Sequence, residues 1–214
     1  MRHSLMLITG SVAIAAAFAT VATANADTRG YPLNNFEKVD VSAGIEVILK
    51  QGAFDVKVET PNGQDFDKIE INVRGNTLHV GRKSNLINWG PGPHFTVTVS
   101  APNFTGVEAS SGSHVDGGGL KLNDMKVGVS SGAHVELAGA CGNLSVETSS
   151  GAHFDGGDLK CESASVDASS GGHAEAFATR SADGDASSGG HVTFHGQPAS
   201  LRKNTSSGGS VRSL

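Results

Sequence analysis

The chain has 214 residues and a formal net charge of −5 at pH 7; it is 5% aromatic and contains 29 glycines, about twice the ordinary share of roughly 7%. A weakly acidic chain lacks the basic footprint that nucleic acid or an anionic membrane requires of a partner. So much Gly and Ser with so few aromatics can mean disorder, but here the small residues recur at a fixed period, which disordered chains lack.

At the start, Arg2 and His3 precede an Ala-rich apolar run from Leu5 to Ala19, and Ala24–Asn25–Ala26 fits a small-x-small cleavage site. Residues 1–26 therefore read as a secretory signal peptide. The run falls short of the ~20 strongly apolar residues of a membrane span, and no cysteine stands near the cleavage site to carry a lipid. The mature chain, 27–214, is expected to be exported to the periplasm or cell surface, with no membrane span.

Residues 31–105 carry short β-branched or alternating runs: 36–41, 45–49, 54–59, 69–73, 78–80 and 95–99. Each predicts a strand. Pro61–Asn62–Gly63, Gly75–Asn76 and the stretch Trp89–Gly90–Pro91–Gly92–Pro93 mark turns. No linker separates this region from the rest of the chain, so 31–105 is expected to form the irregular first rungs, or cap, of a single unit.

From residue 106 to 214 the chain repeats. The tripeptide Ser-Ser-Gly begins at Ser110, Ser130, Ser149, Ser169, Ser187 and Ser206, with its glycines spaced 20, 19, 20, 18 and 19 residues apart. A period of this length, built from short alternating runs and glycine turns, predicts an all-β fold: a right-handed parallel β-helix with rungs of 18–20 residues. Alternation in the third repeat places Leu144, Val146, Thr148, Ser150, Ala152 and Phe154 inside. By that count the second serine of every repeat (Ser111, Ser131, Ser150, Ser170, Ser188, Ser207) stacks in the core.

The outward residues then form columns. One is His114, His134, His153, His173 and His191; two residues on, Asp116, Glu136, Asp155 and Glu175 stand beside it, with Thr193 last. With rungs ~4.8 Å apart, this is a histidine ladder flanked by acids, and its donors are ligands that Zn, Cu and Ni favour. His79 and His94 lie off the ladder as ordinary surface residues, and His195 is left out of the column. Cys141 and Cys161 occupy one point of successive rungs, which predicts a disulfide between them. Arg202, Lys203 and Arg212 cluster at the C-terminal end, where they are expected to keep an open last rung from pairing.

The run Phe36–Glu37–Lys38–Val39–Asp40–Val41–Ser42–Ala43–Gly44–Ile45–Glu46–Val47–Ile48–Leu49, then Gly75–Asn76–Thr77–Leu78–His79–Val80, Val97–Thr98–Val99–Ser100–Ala101–Pro102 and the serial repeats resemble the putative auto-transporter adhesin head, or GIN, domain family (DUF2807). The resemblance covers essentially the whole mature chain. It implies a β-helix of the cell envelope and offers no catalytic residues to carry over. The family's rungs more often hold an acidic or small residue where this chain has His.

Three functions can be weighed on these residues. An enzyme gathers its groups in one place, whereas these polar residues spread evenly along columns, and the Ser–His pairs lack a convergent third group and oxyanion hole. The expectation is therefore a secreted, non-catalytic module of the cell envelope, adhesin-like or structural, meeting a surface ligand (glycan or protein) and needing no cofactor. The alternative is a divalent-metal binder using His114, His134, His153, His173 and His191 with Asp116, Glu136, Asp155 and Glu175.

Overall fold

The computed structural model describes residues 26–83 and 92–214, so the proposed leader through Asn25 and the Trp89–Pro91 part of one expected turn lie outside the described residues. In chain order the strands are β1 (Asp27–Tyr31), β2 (Lys38–Val41), β3 (Glu46–Gln51), β4 (Asp55–Thr60), β5 (Ile69–Arg74), β6 (Thr77–Arg82), β7 (Thr96–Ala101) and β8 (Gly106–Ala109). Next come the long strands β9 (His114–Val129), β10 (His134–Thr148), β11 (His153–Ala168) and β12 (His173–Ala186), then β13 (His191–His195), β14 (Ser200–Thr205) and β15 (Ser210–Ser213). The strands predicted between 36 and 99 are all present, within two residues at each end. A 3-10 turn at Gly63–Lys68, capped by Asn62, fills the interval between β4 and β5.

The long strands pair in parallel, and residues one repeat apart face one another, as in His134 with His153 and Cys141 with Cys161. The result is a β-solenoid of about 5 turns. What holds its register is the turn at each Ser-Ser-Gly. In the third repeat Ser150 and Gly151 have φ of 54° and 69°, and the Ala152 N–H donates to the Ser149 carbonyl at 3.1 Å. Two successive residues at positive φ closed by an i to i+3 bond make the type I′ arrangement. All six repeats share it. In the first five of these turns the glycine N–H also donates to the second serine's carbonyl one rung on, as Gly132 does to Ser150 at 3.2 Å. Turn stacks on turn.

This corrects one expectation. Ser111, Ser131, Ser150, Ser170, Ser188 and Ser207 are exposed turn tips, not core residues. Counting by twos holds only along extended backbone, and the two left-handed residues interrupt it; Ala152 and Phe154, just beyond, are buried as predicted. There is also a seventh turn. Ser42–Ala43–Gly44–Ile45 has φ of 64° and 67° at its centre, and the Gly44 N–H donates to the Ser111 carbonyl at 3.0 Å. Strands β2 and β3 flanking it are thus a regular first rung, with Glu46 beneath His114.

Inside, rung-to-rung columns do the packing. Leu78, Val39, Val107, Val127, Val146 and Val166 lie in register, all buried. Val47, Val115, Val135, Phe154, Ala174 and Val192 form a second column, in which Phe154 is followed by a small residue. Each fully buried Val or Phe contributes about 1.5–3 kcal/mol, and neighbouring rungs supply the opposing surface for one another. At the N-terminal end β4 pairs antiparallel with β7, β1 with β4 and β5 with β6. Among the described residues no helix is long and apolar enough to cross a membrane.

Cys141 and Cys161 are joined, with Cα atoms 4.4 Å apart and a sequence separation of 20. Both are buried, so the bond staples two adjacent rungs from within. Closing a loop of this size stabilises by about 3 kcal/mol in the chain-entropy picture. Unreduced exported protein is therefore expected to show no alkylatable thiol by mass spectrometry, and Cys141→Ala/Cys161→Ala to lose stability of that order. Two free thiols would contradict the staple.

At the C-terminal end, among the described residues, β14 pairs only with β12, and β15 only with β13. Lys203 pairs with Gly184, which pairs with Val166, so its position belongs to the core column that begins at Leu78. Its side chain is exposed on this last strand, and a charge there opposes pairing with another edge. Arg202 faces out, 3.5 Å from Asp183, and Arg212 pairs with Thr193 at the end of the acid column beside the histidines. The expected consequence is that Lys203→Val alone promotes end-to-end association detectable by light scattering. A strictly monomeric variant would assign the protection elsewhere.

Candidate functional site

The histidine column is a stack. The ring centroids of His114 and His134 are 4.8 Å apart, and those of His134 with His153 and His153 with His173 are 4.9 Å apart, with interplanar angles of 5°, 3° and 4°. The column breaks at its end: His191 tilts by 56° at 6.0 Å from His173, and its Nδ1 lies 2.8 Å from Ser210 Oγ. The stack forms because each His is the first residue after a type I′ turn, so rung pairing brings equivalent Cα atoms together and the four rings from His114 to His173 share one orientation.

The acids take unequal parts. His114 Nε2 lies 3.2 Å from Asp116, and His173 Nε2 lies 3.7 Å from Glu175. Asp155 accepts instead from the Gly157 N–H at 3.1 Å. Glu175 has a second partner that the sequence count left out: His195 Nε2 is 2.8 Å from its other oxygen. His195 stands outside the column, paired in register with Phe177, and no periodic signal marks it. His79 and His94 also hold acids, Asp40 at 2.9 Å and Glu46 at 3.3 Å. Glu46 thus closes the foot of the column.

Burial pushes His153 below the ordinary imidazole value, His134 and His173 add to the shift, and Asp155 and Glu175 oppose it. Glu175 is lowered, first by its bond from His195. In a second outward column, Asp40, Glu108, Gly128, Glu147, Asp167 and Asp185 lie in register. Burial there raises Glu108, with Asp40 and Glu147 adding, and raises Asp167, with Asp185 and Glu147 adding. Gly128 is the gap that takes the Glu108 side chain: a Cβ there would meet its Oε2 at 2.0 Å.

As stacked, the rings do not chelate. Two imidazole nitrogens sharing one Zn²⁺ at ~2.0–2.1 Å each stand at most about 4.2 Å apart, less than the ring spacing here. Among the described residues no group of three or more His, Cys, Asp or Glu is arranged to hold a metal ion.

A third feature had no sequence signal. A groove of about 720 Å³ runs along the outside of the rungs, floored by Met125, Leu144, Ala164 and Ala182. One rim carries Asp124, Asn143, Ser163, Ser181 and Ser200, the other Lys126, Ser145, Ser165, Asp183 and Arg202. The floor residues are all buried core. Alternation marks the rim residues merely as outward; that two columns bound a lane is visible only in register.

The depressed His153 stabilises the fold fully above the ordinary imidazole value, and that contribution is lost as pH falls through the folded value. By NMR, His153 is expected to titrate below an ordinary histidine and over a broadened range. His134→Ala should raise its midpoint by removing both a cover and a like charge, and Asp155→Asn should lower it. An ordinary, sharp midpoint indifferent to His134→Ala would show that the rings do not interact.

The fold is shared with solved structures. A putative adhesin from Bacteroides fragilis is 16% identical, with 90% of this chain and 98% of that chain covered and a TM-score of 0.69. A putative lipid binding protein from Parabacteroides distasonis is 14% identical, covering 89% of this chain and 97% of that chain at a TM-score of 0.53. At such identities the likeness shows the fold alone. Among curated proteins none matches. In sequence, residues 35–198 match the family described as putative auto-transporter adhesin, head GIN domain (DUF2807), the span that holds the capped first rung and the histidine column, and the chain belongs to that family.

Proposed function

We propose that the protein is an exported, non-catalytic binding module of the cell envelope, adhesin-like, presenting its outer columns to a surface ligand. The supporting observation is the distribution of polar groups: they repeat at rung spacing on a rigid, disulfide-stapled rod and do not converge. Even the Ser–His contact, His191 with Ser210, has Thr193 where an orienting acid would stand, so it lacks the third member a nucleophile needs. Family membership supports the adhesin character, and the Leu5–Ala26 pattern supports export. The test has two parts. N-terminal sequencing of the exported chain is expected to begin at Asp27, and the labelled protein to bind bacterial envelopes saturably. Retention in the cytoplasm, or no saturable binding, would overturn the proposal.

One observation favours a divalent-metal reading, at the broken end of the column. There His173 and His195 approach opposite oxygens of Glu175, at 3.7 Å and 2.8 Å, so imidazole and carboxylate donors from adjacent rungs face one another. On this reading Zn, Cu or Ni displaces the shared proton, and modest side-chain rotation completes the set. Calorimetric titration decides it: one ion per chain, lost in His195→Gln and kept in His134→Ala, is the supporting result. No uptake, or equal loss in both variants, removes the reading.

A further inference from the structure

The groove between the columns that start at Asp124 and Lys126 deepens the adhesin reading, on which this inference rests. It crosses five successive rungs, from Asp124 through Asn143, Ser163 and Ser181 to Ser200, so at ~4.8 Å per step it is about 19 Å long. Its volume of about 720 Å³ lies within the ~300–1,000 Å³ of ligand sites. Its chemistry narrows the occupant. The rims carry two acids, Asp124 and Asp183, against two bases, Lys126 and Arg202, and Arg202 and Asp183 face each other at 3.5 Å. A balanced lane offers no field to a polyanion or a polycation.

Between those ends the rims hold hydroxyls and an amide, with Ser163 and Ser181 bonded at 2.9 Å and Asn143 donating to Asp124 at 2.8 Å. The floor strands commit their main-chain groups to the parallel ladder between rungs. A peptide that binds by strand addition needs an open sheet edge, which this face does not have. A chain of sugars needs no main-chain partner. Its hydroxyls donate and accept, as the serines do, and one pyranose in an extended chain is about as long as one rung is high.

We propose that this lane binds an uncharged, linear polysaccharide lying parallel to the solenoid axis, about one sugar per rung. The rung-to-rung repeat then matches the repeat of the ligand, and the charged ends mark where the match stops.

The experiment uses the labelled mature protein against immobilised hexamers of β-1,4-linked glucose, β-1,3-linked glucose and β-1,4-linked N-acetylglucosamine, with polygalacturonate and oligolysine as charged contrasts. Intact bacterial cells are assayed in parallel. Binding to at least one uncharged hexamer is expected, weakened at least tenfold by Ser163→Gln/Ser165→Gln, which fills the lane from both rims without adding charge. Ser165→Ala should weaken it a few-fold and Glu59→Gln, exposed on β4 away from the lane, should leave it unchanged; circular dichroism checks that each variant folds. Failure of all three hexamers to bind, binding only to the charged polymers, or full binding by the lane-filled variant overturns the proposal. If cell binding persists in any of those cases, the adhesin reading stands and only the groove assignment falls; loss of cell binding as well sinks both.

Discussion

Each rung meets the next through a two-residue turn whose central residues both sit in the left-handed region. For a non-glycine residue that conformation costs roughly 1–2 kcal/mol, and here the first of the pair is Ser in six turns and Ala in the seventh. The cost is met collectively. Each Ser-Ser-Gly turn closes its own i to i+3 bond, and every turn but the last donates to the next, so the hydrogen bonds that fix the bend also fix the stacking. Net bonds of about 0.5–1.5 kcal/mol each offset the strain only if adjacent rungs are in register. Register is therefore not a by-product of the valine columns; turn and column each enforce it, and a slip by one residue would break both.

Once register holds, every side chain choice is copied down the rod, to good and ill effect. Apolar repeats become continuous core columns, and equivalent cysteines come within disulfide reach. Charged repeats become lines of like charge at about 5 Å. The raised Glu108 and Asp167 and the lowered His153 are consequences of that copying. The sequence relieves it locally: Gly128 interrupts the carboxylate column, and His195 reaches Glu175 from the next rung. The two effects oppose one another in pH. Raised carboxylates penalise folding as pH rises through their folded values, whereas the depressed histidine penalises it as pH falls below the imidazole range.

Much of this was legible from the residues. The spacing of Ser-Ser-Gly predicts the rung, the alternation predicts the buried Leu144, Val146, Thr148, Ala152 and Phe154, and coincidence within the rung predicts the Cys141–Cys161 pair. These are one-dimensional facts, because in a solenoid sequence distance maps directly to position. What could not be read depends on leaving that map. Ser150 breaks parity because it is turned, not extended. The first rung hides because Ala43–Gly44 lies some 68 residues before the next turn at Ser111–Gly112, with the cap inserted between. Strand β1, Asp27–Tyr31, is almost wholly exposed and has no apolar alternation to announce it. His195 reaches Glu175 across rungs, and the groove exists only between columns.

The turn itself can be isolated experimentally, because two glycines differ in little else. A Cβ added at Gly151 or at Gly118 meets nothing within 4 Å, but Gly151 has φ of +69° whereas Gly118 is not in the left-handed region. The denaturant midpoints of Gly151→Ala and Gly118→Ala therefore compare backbone conformation with no steric term. Gly151→Ala is expected to destabilise by about 1–2 kcal/mol, and Gly118→Ala to be neutral or slightly stabilising through the unfolded chain. Equal effects of the two substitutions would contradict the claim that the left-handed turn governs the stack.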